Sequence, residues 1–195
     1  IILARGLTGR IRGMAHKRPD GVKQRPDFVI IDDPQTDVSA ASPSQCATRE
    51  KTLAGAILGL AGPGKEISGL CTVTVIRTDD LADRLLDRQR HPSWQGERTK
   101  LVYEWPDAED DWSEYAELRR EGQRDGTGTG RADEFYRQRQ ARMDAGSRVA
   151  WPERKAAGDL SAIQHAWNLR IDRGESAFNA EFQNAPLADD ITTDK

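Results

Sequence analysis

Phe28-Val29-Ile30-Ile31-Asp32-Asp33-Pro34 places four consecutive β-prone apolar residues directly before two carboxylates and a proline. An unbroken apolar run, rather than an alternating one, suits a central parallel strand covered on both faces. Working outward, Ser42-Pro43 starts a helix, with Ser as its cap and Pro at its first position. Leu53, Ile57 and Leu58 carry that helix to the glycines at 59, 62 and 64. A second strand is expected over Glu66–Ile76, with Val73, Val75 and Ile76 as its apolar core. Thr78 is the expected cap of the next helix, in which Leu81, Leu85 and Leu86 recur at helical spacing. Leu101-Val102-Tyr103 is the expected third strand, stopped by Trp105-Pro106. Strand, helix, strand, helix, strand at these lengths predicts an α/β fold with a parallel sheet.

On the amino-terminal side, Ile1-Ile2-Leu3-Ala4 reads as a strand in progress, and Gly6, Gly9 and Gly13 punctuate a turn around Arg10 and Arg12. Pro19-Asp20-Gly21 marks a further turn. From Ala108 onward the pattern contains no strand. Trp112–Gln123 and Ala132–Ala145 read as amphipathic helices separated by a flexible Gly-Thr-Gly-Thr-Gly at 126–130. Ser161–Arg173 is a further helix, with Ile163, Trp167 and Ile171 on one face. The expected organisation is an α/β part over residues 1–106 and a helical part over residues 107–195.

The carboxylate pair carries the chemical signal. A strand that delivers two acids at its carboxyl end fits nucleotide hydrolysis on a phosphate-loop sheet. One acid holds the water shell of Mg²⁺, and its neighbour orients or deprotonates the attacking water. Adjacent side chains on a strand point to opposite faces, so Asp32 is the metal-side candidate and Asp33 the catalytic one. The same residues also fit a plain strand-to-loop boundary with a turn-capping Asp. Forty residues on, Thr74 lies near the end of the second strand, where a hydroxyl can sense a γ-phosphate; a β-branched strand filler explains it equally. Between glycines, Arg12 is either a guanidinium offered to a transferring phosphoryl group or a solvated turn residue.

Other features exclude more than they assign. Lys and Arg number 29 against 32 Asp and Glu, for a net charge of −3, so whole-chain charge does not mark a nucleic-acid binder. The basic stretch His16–Arg25 reads either as a phosphate contact or as a solvated loop. Cys46 and Cys71 lack ligand spacing and read as small buried residues in a reducing compartment. His16, His91 and His165 are too scattered for a metal site. Gly62-Pro63-Gly64-Lys65 lacks both the spacing and the following Ser/Thr of a phosphate-binding loop. The five tryptophans are assigned to packing rather than base stacking. No apolar run approaches the ~20 residues of a membrane span, and no signal peptide is present. A soluble cytoplasmic protein, neither secreted nor membrane-bound, is expected. A chain that opens on Ile1 within a strand and trails off in polar sequence is expected to be a piece of a longer protein.

Taken in order, these segments resemble the large subunit of tailed-phage DNA-packaging terminases. Thr8-Gly9-Arg10-Ile11-Arg12-Gly13, the segment DFVIIDDPQTD at 27–37 and AASPSQCATREK at 40–51 are similar to the Walker B strand of that family and its flanks. TVIRTDDLADRLL at 74–86 and FNAEFQNAP at 178–186 resemble the segments that follow it and close the ATPase region. The resemblance implies a partial P-loop NTPase sheet of the ASCE type, followed by a helical lid or linker toward an RNase H-like nuclease. It implies ATP as substrate and Mg²⁺ as cofactor, with Asp32 in the metal role and Asp33 as catalytic carboxylate. Thr74 would couple hydrolysis to movement, and Arg12 would reach a neighbouring subunit's nucleotide. Double-stranded DNA, a homo-oligomeric ring, the terminase small subunit and the portal protein are the implied partners. The sequence departs from the family where Asp33 stands in place of the usual Glu, and where Val75-Ile76-Arg77 replaces Arg-Trp-His. It contains no phosphate-binding loop and no recognisable nuclease carboxylates. Another P-loop motor, of helicase or recombination type, and a non-enzymatic α/β binding module are the alternatives.

Overall fold

The computed structural model describes residues 2–7, 9 and 11–187. Of the expected initial strand, Ile1 lies outside these residues and Ile2, Leu3 and Ala4 form no strand; the turn at Arg10 falls partly outside them, and the polar tail wholly so. The chain divides into two compact units, the first ending at Gly96 and the second spanning Glu97–Leu187. The fold is mixed α/β with small sheets, one of them a partial parallel sheet.

In the first unit, a short antiparallel ladder joins β1 (His16–Lys17) and β2 (Lys23–Gln24) across the Pro19-Asp20-Gly21 turn. The basic stretch is therefore a small hairpin. The decisive run forms β3 (Phe28–Asp32). After a single turn, α1 (Asp37–Ala40), comes α2 (Pro43–Thr52), whose Ser42 cap accepts from the Gln45 amide. The helix runs into a π-helical turn over Leu53–Ile57. β4 (Ser68–Thr72) then pairs with β3 in parallel, Phe28 opposite Ser68 and Asp32 opposite Thr72. Alternation turns Ile31 and Cys71 inward, onto a core that includes Leu53, Ile57, Leu60, Leu81 and Leu85. Phe28, Ile30 and Leu70 point the other way and stay 52%, 65% and 53% exposed. The expectation of a strand covered on both faces is thus met on one face only.

Two other expectations are corrected in this unit. The second strand stops at Thr72 rather than Ile76, because its partner ends at Asp32 and Asp33 then turns away. Beyond it, the amides of Ile76 and Arg77 bond the Asp80 carboxylate, at 2.8 and 3.0 Å, instead of a neighbouring strand. The helix α3 (Leu81–Leu86) is capped by Asp80 and not Thr78. Asp79 takes a left-handed φ of 60° that reverses the chain first.

α2 is pinned to α3 by charge. Glu50 accepts from His91 Nε2 at 2.7 Å and from Arg90 Nη2 at 2.9 Å, and lies 3.4 Å from Arg84, which also grips Asp79 at 2.7 Å. Burial alone would raise the Glu50 pKa, but the bonds from His91 and Arg90 outweigh it and hold the carboxyl below its ordinary 4.5. A depressed carboxyl contributes stability that is present above its unfolded pKa and lost as pH falls through the folded one. Urea midpoints of the first unit are therefore expected to fall as pH drops below that ordinary value. Glu50→Gln should cost about 1–3 kcal/mol at neutral pH and flatten this acid dependence; an unchanged acid slope would remove Glu50 from it.

The second unit is built around helices. β5 (Val102–Glu104) was expected as a third strand of the parallel sheet. It pairs antiparallel with β6 (Arg148–Val149) instead, after α4 (Glu109–Arg124) and α5 (Gly130–Asp144) have intervened. Its other edge is closed by a side chain: Gln183 accepts from the Val102 amide at 2.9 Å and donates to the Val102 carbonyl at 3.0 Å. That leaves no edge for another parallel strand. α6 (Ala162–Arg173), capped by Ser161, and α7 (Glu175–Gln183) complete the unit. The glycine-rich connection is a folded turn rather than a loose linker. The Gly128 amide bonds the Gly122 carbonyl at 3.1 Å, and a Cβ on Gly122 would lie 2.0 Å from the Gly128 oxygen. Trp112 stacks on Trp167 at 4.9 Å and 6°, and Tyr115, Tyr136 and Phe178 are buried in the same core. Trp151, by contrast, is exposed. Among the described residues no helix is long and apolar enough to cross a membrane.

Candidate functional site

The carboxyl end of β3 brings Asp32 and Asp33 to the surface, where both are exposed. Asp32 shares its register position with Thr72, whose hydroxyl donates to Asp32 Oδ1 at 2.9 Å. Asp33 leaves the strand at a φ of 42°, a left-handed conformation uncommon outside glycine and tolerated best by Asp and Asn. Its amide stays tied to the Thr72 carbonyl at 2.8 Å. The two acids therefore diverge. Asp32 lies on the open face of the sheet, while the charge of Asp33 reaches Cys71. That thiol is pushed up to about 11, first by burial and then by Asp33. Cys46 is fully buried and Cys71 half-buried, and both are free thiols.

The turn that follows is held from two sides. Gln35 is buried, donates to the Thr74 carbonyl at 2.7 Å and to Asp80 Oδ2 at 2.8 Å, and accepts from the Leu81 amide at 3.1 Å. Arg49 of α2 donates from Nη1 to the Pro34 carbonyl. Asp80, also buried, collects Gln35, Ile76, Arg77 and Asp83 as donors, so the carboxylate turn and the segment leading into α3 form one hydrogen-bonded block.

Of the four residues singled out from sequence, Asp32, Asp33 and Thr74 belong to this block. Thr74 enters through its backbone carbonyl and lies beyond the end of β4, so the hydroxyl that touches Asp32 is that of Thr72. Arg12 lies elsewhere in the unit, lining a pocket against α2. Thr72, Gln35, Arg49 and Asp80 are the positioning residues that sequence reasoning did not single out. Gln35 follows the acids directly, but its bonds span 39 to 46 residues and nothing local announces them.

Among the described residues no group of three or more His, Cys, Asp and Glu side chains converges as a metal cage. One carboxylate with a neighbouring hydroxyl is an oxygen donor set of the kind Mg²⁺ takes when waters and phosphate oxygens complete its octahedron. Asp32 and Thr72 supply two such oxygens, 2.9 Å apart. Comparison of the chain with protein-family models, with curated proteins and with solved structures gives no match.

Proposed function

We propose that this chain is the carboxylate-bearing half of an ATP-driven DNA-packaging motor of the terminase large-subunit type. The observation that carries the reading is the parallel pair β3·β4. It ends in Asp32 and Asp33, with Asp32 bonded to Thr72, and its outer face of Phe28, Ile30 and Leu70 lies bare. Parallel sheets are normally covered on both faces. A further stretch of α/β structure bearing the phosphate-binding loop would cover these residues and complete a P-loop NTPase sheet.

In this reading Asp32 holds the water shell of Mg²⁺, which would neutralise charge on the β- and γ-phosphate oxygens. Asp33 orients the attacking water and accepts its proton. Gln35 links Asp33, two residues away, to Thr74 and Asp80, which gives the coupling role of Thr74 a mechanical path through its carbonyl. Arg12 acts on the nucleotide of a neighbouring subunit in a homo-oligomeric ring. The helical unit serves as lid or linker toward a nuclease. Double-stranded DNA is the cargo, and the small subunit and portal protein are the partners.

Residues 1–195 alone are expected to show no magnesium-dependent ATP hydrolysis, because their sequence contains no G-x-x-x-x-G-K-[ST] loop to hold the β- and γ-phosphates for the reaction. Joined to a segment carrying G-x-x-x-x-G-K-[ST], the chain should gain DNA-stimulated turnover. Turnover by the 195 residues alone would contradict the assignment. ATP turnover in the joined protein that drives strand separation instead of packaging would favour a helicase-type motor.

A further inference from the structure

A pocket of about 570 Å³ is lined by Leu7, Gly9, Ile11 and Arg12 on one side and by α2 and the π-helical turn after it on the other. That volume falls within the ordinary range of small-molecule sites. Leu7, Ile11 and Ala56 form its apolar part, and Arg12, Gln45 and Arg49 its polar part. Among the described residues that line it, none is acidic. The nearest acid in sequence, Glu50, is engaged by Arg84, Arg90 and His91 and does not neutralise Arg49.

The Arg12 guanidinium lies against the π-helical turn: a Cβ on Gly55 would sit 3.4 Å from Arg12 Nη2, an ordinary contact distance. π-helical turns within α-helices occur often at functional sites. Two guanidinium groups on different elements of one concavity, with no carboxylate between them, favour a multivalent oxyanion. Their forked N–H donors match phosphoryl oxygens. The apolar side suits the sugar or base such a group carries.

We propose that this pocket binds a phosphoryl group, carried by a nucleotide or by a polynucleotide backbone, and that Arg49 transmits its occupancy to the Asp33-Pro34 turn. The link is the bond from Arg49 Nη1 to the Pro34 carbonyl. A guanidinium has five N–H donors, so Arg49 can hold that carbonyl and a ligand together. The site does not depend on hydrolysis at Asp33. It differs from a role of Arg12 toward a neighbouring subunit, since both guanidinium groups and the walls come from one chain.

The test is a titration of the 195-residue chain followed by the arginine Nε–H signals in NMR. The probes are inorganic phosphate, ATP in the presence of EDTA, and a short DNA duplex. Saturable shifts of Arg12 and Arg49 are expected with at least one probe, with affinity reduced at least about tenfold in Arg12→Gln. Arg18→Gln serves as the control, since Arg18 pairs with Asp20 on the hairpin. A response to phosphate or ATP alone identifies a free or nucleotide phosphate as the source; a response to duplex alone identifies the nucleic-acid backbone. No saturable shift up to about 10 mM of any probe, or an equal loss in Arg18→Gln, overturns the proposal. Arg49→Gln also removes a bond to Pro34 and can disturb folding, so Arg12→Gln, on an exposed residue, decides the matter. Phosphate binding by a chain that stays inactive toward ATP after a G-x-x-x-x-G-K-[ST] segment is joined to it would refute the hydrolytic reading alone.

Discussion

Asp33→Asn in the protein completed by a phosphate-binding segment is expected to lower ATP turnover by at least about 100-fold while leaving ATP affinity within about twofold. In the proposed mechanism this carboxylate accepts the proton of the attacking water, and an amide of the same shape cannot. Asn is also the substitution that the local backbone tolerates. At a φ of 42°, Ala or a β-branched residue would add strain, whereas Asn occupies the left-handed region readily. A loss of activity is then not a loss of fold. The same variant supplies its own structural control, because Asp33 is one of the two causes that push the Cys71 thiol up to about 11. Removing that charge should lower the Cys71 pKa, seen as faster alkylation at alkaline pH. Unchanged turnover, with Cys71 shifted as expected, would remove Asp33 from the chemistry.

Trp112→Ala is expected to destabilise the helical unit by about 4 kcal/mol, and often to unfold it outright. Trp112 is fully enclosed, stacked on Trp167 and edge-on to Tyr115 at 5.3 Å, and its indole N–H donates to the Met143 carbonyl at 2.8 Å. Truncation removes the largest side chain of the core and leaves that carbonyl without its donor, so cavity and desolvation costs add. Far-UV circular dichroism in urea would show it, since α4 to α7 hold much of the helix. A shift below about 1 kcal/mol would mean that the aromatic cluster is not what holds these helices together.

What could be read in advance follows from how local each signal is. The helices at Ser42-Pro43 and Ser161–Arg173 carry both cap and periodicity within themselves, Trp112–Gln123 carries periodicity alone, and all three form. The run at 28–31 carries its strand propensity but not its surroundings, so its burial on one face only was not visible. Leu101-Val102-Tyr103 is β-prone in isolation, yet a three-residue strand takes the partner its context offers, here Arg148–Val149 and the side chain of Gln183. Thr78, Asp79 and Asp80 are all plausible caps by type. The left-handed turn at Asp79 selects Asp80, and sequence pattern does not encode which residue will turn. α7 escaped notice because Phe178 is its one buried large apolar residue. At the site, the acids were evident from composition and position. Thr72, Gln35 and Arg49 were not, since pairing register and long-range hydrogen bonds set their roles.

The most direct measurement is the sequence of the coding DNA for about two hundred codons on either side of this chain. The account predicts, in the same frame, an upstream G-x-x-x-x-G-K-[ST] loop between a strand and a helix, and a downstream carboxylate-rich nuclease. A start codon immediately before Ile1 and a stop immediately after Lys195 would contradict it. The carboxylates of Asp32 and Asp33 would then belong to an α/β module without the phosphate-binding loop that hydrolysis requires.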